Sequence, residues 1–191
     1  MLMKHSLSPR RASAHRRGFT LTEAAIVLGI VGLILGGIWV AAGAVYNNQR
    51  VSTTTTQIMQ IVNGIRSLYA TSTTFTGDET DLANAGVIPR DMLVLDASNA
   101  VTDVVNVWNG QVTIAAAAPA TSFTITIEDV PRAACSSLLV KFTGPGRDSG
   151  LEEAGTTPLT VGGAGLTVPQ ATAECSDATD NDMVFQFALR S

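Results

Sequence analysis

Two cysteines, Cys135 and Cys175, two carboxylate runs, Asp78-Glu79-Asp81 and Asp177-Asp180-Asp182, and one isolated acid, Glu23, are the side chains whose types and spacing could do chemistry here. Both histidines, His5 and His15, lie in the basic N-terminal stretch, so beyond it no imidazole is available to activate a hydroxyl or thiol or to complete a common zinc set. The carboxylate runs offer oxygen ligands of the kind calcium takes, but neither has the spacing and glycine of an EF-hand loop, and they read as solvated loop charge. The glycine-rich stretches GPGRDSG and VGGAG lack the Gly-Lys-Ser/Thr ending of a phosphate loop and read as turns. No catalytic residue, metal site or cofactor is expected from this inventory.

Glu23 stands immediately before 22 uncharged residues, Ala24 to Val45. At about 1.5 Å per helical residue that run spans ~33 Å, enough to cross the ~30 Å hydrocarbon core of a bilayer. An unpaired carboxylate at its front costs a few kcal/mol in lipid and calls for a partner. Ahead of it lie Lys4, Arg10, Arg11, Arg16 and Arg17 with no acid, which places residues 1 to 18 on the cytoplasmic side by the positive-inside rule. From Phe19 onward seven basic residues face sixteen acidic ones, a formal charge of −9, the wrong sign for nucleic-acid binding. The two cysteines fall in the exported part, where an even pair is most simply a disulfide, two separate buried thiols being the alternative.

The elements that must position these groups follow from periodicity. After the uncharged run, Val51, Ile58, Ile61, Val62, Ile65, Leu68 and Tyr69 recur at three- and four-residue steps, and no proline occurs between Phe19 and Ile88, so one long helix from about Thr20 is predicted. Gly29, Gly32, Gly36, Gly37 and Gly43 weaken it but let other helices approach. A short helix is expected over Asp81 to Ala85, closed by Gly86, with VIPRDMLVL extended after it. Gln111 to Ala115 and Ser122 to Ile127 alternate as a hairpin, and Asp129 before Pro131 signals a helix over Ala133 to Phe142 carrying Cys135. PLTV and GLTVP read as short β pieces, and MVFQFAL as a strand able to sit inside a sheet. Trp108 reads as core, and Trp39 as an interfacial anchor or a packing residue. The order indicates an α+β fold, a long N-terminal helix packed on an antiparallel sheet.

Gly18-Phe19-Thr20-Leu21-Thr22-Glu23, with basic residues before it and the uncharged run after it, closely resembles the type III prepilin signal of type IV pilins and type II secretion pseudopilins. A Sec signal would place its cleavage site after a shorter apolar run, and a twin-arginine signal would precede a less apolar one. The resemblance implies cleavage after Gly18 by a prepilin peptidase, N-methylation of Phe19, and a role for Glu23 in assembly opposite a terminal amine. VIPRDM, WNGQVTI, DVPRAAC and the Cys135/Cys175 pair before a terminal strand resemble the head of type IVb pilins, in which two cysteines close the C-terminal region. Val40, standing where type IVa helices usually carry proline, favours that subclass, whereas Phe19 as first mature residue is more typical of type IVa.

The implied organisation is a cleaved leader, 1–18, a membrane and assembly helix, 19–46, and a periplasmic head, 47–191, carrying the amphipathic half of the helix. The implied partners are the lipid bilayer before assembly, then other pilin subunits, with an inner-membrane assembly platform and ATPase for which this chain has no motif. The implied location is the bacterial inner membrane, then an extracellular pilus used for adhesion, aggregation, conjugation or motility. The rival readings are a membrane-anchored periplasmic binding module and a secretion pseudopilin.

Overall fold

A computed structural model describes residues 20–157, 159–161 and 165–190. The chain divides into two compact units, with the boundary between Gly43 and Ala44. Helix α1, Leu21–Leu68, contributes to both. It is the one described helix long and apolar enough to cross a membrane.

In the first unit the apolar side chains of α1 are exposed all round, including Leu21, Leu28, Leu33, Trp39 and Val40. A Cβ added at Gly29, Gly32, Gly36, Gly37 or Gly43 would meet nothing within 4 Å. Their small size therefore serves no packing among the described residues.

The second unit is an α+β head. Val51, Ile58, Ile61, Val62 and Ile65 of α1 are buried in its core. Leu68, expected on the same stripe, is exposed at the helix end, while Tyr69 packs against the core and tilts onto Phe75 at 5.1 Å. Helix α2, Glu79–Asn84, begins two residues earlier than expected because Asp78 caps it, its Oδ1 accepting the Asp81 N–H at 2.9 Å. Gly86 follows at φ 76°, a left-handed turn suited to glycine.

The VIPRDMLVL stretch is not uniformly extended. Pro89 leads a 3-10 turn, Arg90–Met92, that buries Met92 before strand β1, Leu93–Leu95, which pairs antiparallel with β2, Val101–Val104. The expected hairpin is present as β3, Val112–Ala116, and β4, Ser122–Val130. Strand β4 outruns its expected end through an irregularity between Ile127 and Val130, where Asp129 takes φ 57°. Asp129 therefore belongs to the strand rather than to a helix start, and Pro131 occupies the cap of α3, Arg132–Thr143.

Strands β5, Leu151–Gly155, and β6, Leu159–Thr160, precede helix α4, Val168–Glu174, and the terminal strand β7, Asn181–Ala188. GLTVP does not form a strand: Thr167 and Gln170 make a capping box and a proline sits in the first turn, so the stretch opens α4 instead. The sheet order β3-β4-β7-β5-β6 puts β7 at the centre, every pairing antiparallel. Alternation then sends Phe123, Ile125 and Ile127 of β4 and their partners Phe187, Phe185 and Met183 to one buried face. Phe142 of α3 meets Phe185 at 4.7 Å, joining helix and sheet in the core shared with α1.

Candidate functional site

The first candidate region is the N-terminal turn of α1. Thr20 precedes the helix, its Oγ1 accepting the Glu23 N–H at 3.3 Å and its carbonyl the Ala24 N–H at 3.1 Å. This is the N-cap half of a Thr-x-x-Glu pattern, a signal present in the sequence at Thr20 and Glu23 but not used there. The Glu23 carboxylate is exposed and has no ion-pair partner among the described residues. It lies where the partial positive charge of the helix N-terminus favours an anion. Gly18 and Phe19, expected to flank a cleavage point, lie outside the described residues.

Beyond Glu23 the exposed surface is apolar without interruption for about six turns. At about 100° per residue Gly29, Gly32, Gly36 and Gly43 fall within a ~60° sector of that surface. Glycines so arranged let another helix backbone come close. Trp39, 79% exposed, lies about 20° beyond the edge of that sector and has no ring contact among the described residues.

The second region is the head that this segment carries. Cys135 on α3 and Cys175 at the C-cap of α4 are bonded across a separation of 40 residues, with Cα atoms 6.0 Å apart and both side chains fully buried. The crosslink closes a loop holding β5, β6 and α4, worth roughly 3–4.7 kcal/mol by chain entropy.

Arg66, near the end of α1's amphipathic half, makes a bidentate pair with Asp148, at 2.7 and 2.8 Å, and its guanidinium also donates to the Ala188 carbonyl at 3.1 Å. The Arg66 hydrogen bonds, joined by the Gly150 N–H, hold the Asp148 carboxyl below its ordinary range against the opposing effect of burial. This clamp ties helix, turn and terminal strand together. GPGRDSG is a turn with a structural anion in it, a role that reading it as turn composition did not reveal.

Part of each acidic run is absorbed by local structure. Asp78 caps α2, and Glu79 Oε2 accepts the Ile114 N–H at 3.3 Å on the outer strand β3. Asp177 Oδ1 accepts the N–H groups of Thr179 and Asp180, which lowers its pKa. Among the described residues no group of three or more His, Cys, Asp or Glu is placed to hold a metal ion. Glu128 and Asp129 are shifted upward, Glu128 by burial and then by its acidic neighbours, Asp129 by a hydrogen bond shared with Asp180. Trp108 is half-buried against the core, held by a turn in which Asn106 Oδ1 accepts the N–H groups of Trp108 and Gly110.

These two regions match separate family models. Residues 13–39 match the prokaryotic N-terminal methylation motif, and residues 48–188 match PilS N terminal. Among solved structures the chain is similar to a type IV b pilin from Salmonella typhi, with 21% identity, 70% of this chain and 97% of that chain covered, and a TM-score of 0.49. No match is found among curated proteins. With its head covered by one model and its apolar helix by the other, the chain belongs to the PilS N-terminal family and is a type IV pilin with a prepilin leader.

Proposed function

We propose that this pilin is a filament subunit of the type IVb kind, cleaved after Gly18, methylated on Phe19, and polymerised through the first unit of α1. The observation that carries the reading is the uncovered apolar surface from Leu21 to Val40, whose one charge is Glu23. Before assembly, lipid covers this surface, with residues 1–18 cytoplasmic and the head periplasmic. After assembly, the same segment of neighbouring copies covers it, with the glycine sector allowing close approach.

Glu23 has a specific task in this scheme. Cleavage creates an α-amino cation on Phe19 in an apolar setting, and a neighbour's Glu23 carboxylate reduces the desolvation penalty of both charges. Residues 19–46 serve as the span and assembly helix and 47–191 as the displayed head, a division close to the unit boundary after Gly43. Adhesion, aggregation, DNA transfer or motility would follow from display of the head, with a membrane platform and ATPase supplying the work.

Mass spectrometry of the membrane-extracted chain tests the processing. A mass starting at Phe19 plus one methyl group is expected. An intact leader, or cleavage beyond Val45, would instead make the chain an anchored or secreted binding module. Glu23→Ala is expected to be cleaved but scarcely incorporated into filaments, and normal incorporation would remove Glu23 from the scheme.

A further inference from the structure

A groove of about 440 Å³ lies among α1, α3 and the start of α4. Val51, Val140 and Val168 give it an apolar lining, Asn48 adds an amide, and Lys141 supplies a cation; no acid lines it among the described residues. Val168 is 64% exposed, and Lys141 is exposed and makes no hydrogen bond or ion pair among the described residues. An apolar cleft with an unpaired ammonium beside it fits an amphipathic anion.

Position along α1 says which anion. The uncharged run ends at Val45, and Asn48 and Val51 follow three and six residues later on the same helix. At about 1.5 Å per residue, those steps put the wall of the groove about 4.5–9 Å beyond the end of the run. The headgroup layer of a bilayer fills the first ~5–8 Å beyond the hydrocarbon on each side. With the run in hydrocarbon, the groove stands at the level of the lipid phosphates.

Tyr46 and Arg50 mark the same level independently. Tyr46, 60% exposed, is the first residue past the run, and the Arg50 guanidinium lies 4.4 Å from its ring centre and donates to its hydroxyl at 2.8 Å. An amphipathic aromatic and a long cationic side chain are the groups that collect at a membrane–water interface. Charge selects this end of the head as well. No acid occurs between Glu23 and Asp78, although from Phe19 onward sixteen acidic residues outnumber seven basic ones. An anionic leaflet attracts Lys141 and Arg50 and repels the acidic remainder.

We infer that before assembly this groove holds a phospholipid of the periplasmic leaflet, its phosphate on the Lys141 ammonium and its upper acyl chain against Val51, Val140 and Val168. The head thereby rests on the leaflet, and the groove empties when the subunit leaves the bilayer. The inference rests on the membrane-span reading and names a second lipid contact, in the head rather than in the apolar segment.

Brominated lipid tests the contact on the full chain in vesicles of phosphatidylcholine and phosphatidylglycerol. The indole introduced by Val168→Trp, with Trp39→Phe and Trp108→Phe removing the others, is expected to be quenched by bromine near the glycerol and not by bromine near the chain end. Adding Lys141→Gln should lower the ratio of docked to undocked heads about fivefold. Vesicles of an uncharged galactolipid, brominated at the same place, should lower it comparably and abolish the effect of Lys141→Gln. A chain carrying only Trp108→Phe reports the span through Trp39, which lies inside the uncharged run.

Quenching of Trp39 without quenching at position 168 overturns the inference and leaves the span standing. So does quenching at position 168 that neither Lys141→Gln nor the loss of phosphate alters. Absence of Trp39 quenching overturns both. The unaltered chain gives a second measurement: acylation of Lys141 by a water-soluble amine reagent, followed by peptide mapping, should be about fivefold slower in the phospholipid than in the galactolipid vesicles. Equal rates overturn the phosphate contact.

Discussion

The two halves of α1 obey the same helical geometry and leave their apolar residues in opposite settings. From Leu21 to Gly43, Leu28, Leu33 and Val40 stand exposed around the helix; from Ala44 to Leu68, Val51, Ile58, Ile61 and Ile65 are buried against the sheet and α3. Hydrophobicity alone therefore does not identify a core. What separates the halves is arrangement: apolar on every side in the first, a stripe with Gln49, Thr53, Thr56 and Gln60 opposite it in the second. A helix with a stripe can be satisfied by its own chain, whereas one apolar all round needs lipid or other molecules.

The sharpest way to break this comparison is to truncate one residue in each half. Ile61→Ala should destabilise the head by about 2–5 kcal/mol, through lost burial and the cavity left behind. Leu28→Ala should leave head stability within ~0.5 kcal/mol while lowering filament yield. Urea unfolding of the full chain in detergent, followed by near-ultraviolet circular dichroism, measures the first, and filament recovery measures the second. Equal loss of head stability from both substitutions would contradict the division.

Crosslink removal should act almost as strongly and only on the head. Cys135→Ala with Cys175→Ala is expected to cost about 2–5 kcal/mol. Glycine substitutions sharpen the contrast in a different way. A Cβ at Gly110 would collide with the Glu128 carbonyl, so Gly110→Ala should strain the head by about 1–3 kcal/mol. Gly36→Ala, where the Cβ meets nothing, should leave the head unchanged and favour the isolated helix by up to ~1 kcal/mol. If filament yield nonetheless falls with Gly36→Ala, the glycine sector is an intermolecular surface.

Smaller effects separate by the sign of their pH dependence. The Asp148 carboxyl is depressed in the folded head, so its stabilisation is fully present above the ordinary value of 3.8 and is lost as pH falls through the folded value. Asp148→Asn should cost about 1–2 kcal/mol at neutral pH and progressively less in acid, as read from urea midpoints at several pH values. Asp129 is raised, so the folded head binds its proton more tightly and stability falls as pH climbs from 3.8 through the folded value. Asp129→Asn, which also suits the φ of 57°, should raise the midpoint at neutral pH and lose that advantage in acid. Such changes belong to the head and should leave Glu23-dependent assembly untouched.

Several features were legible because they depend on neighbours within a few residues. The alternation of MVFQFAL marks β7, the three- and four-residue spacing marks the second half of α1, and the two alternating runs mark the β3–β4 hairpin. Misreadings occurred where two local signals competed. GLTVP has β-favouring residues, yet Thr167 and Gln170 form a capping box, and cap hydrogen bonds with Pro169 in the first turn prevail. Asp129 before Pro131 looks like a helix start, but pairing with β7 continues to Val130 and keeps it in the strand.

The sequence by itself determined the uncharged span with its single acid, the basic stretch ahead of it, the main helices and strands, and the α+β class. These rest on charge, periodicity and capping, which act over one or two turns of chain. Only the tertiary structure decided that β7 lies between β4 and β5, that Arg66 reaches Asp148 across 82 residues, and that Gln57 is buried with an unanswered carbonyl beside Asp91. Each of those depends on which distant surfaces pack together once the core closes, and no local pattern records that choice.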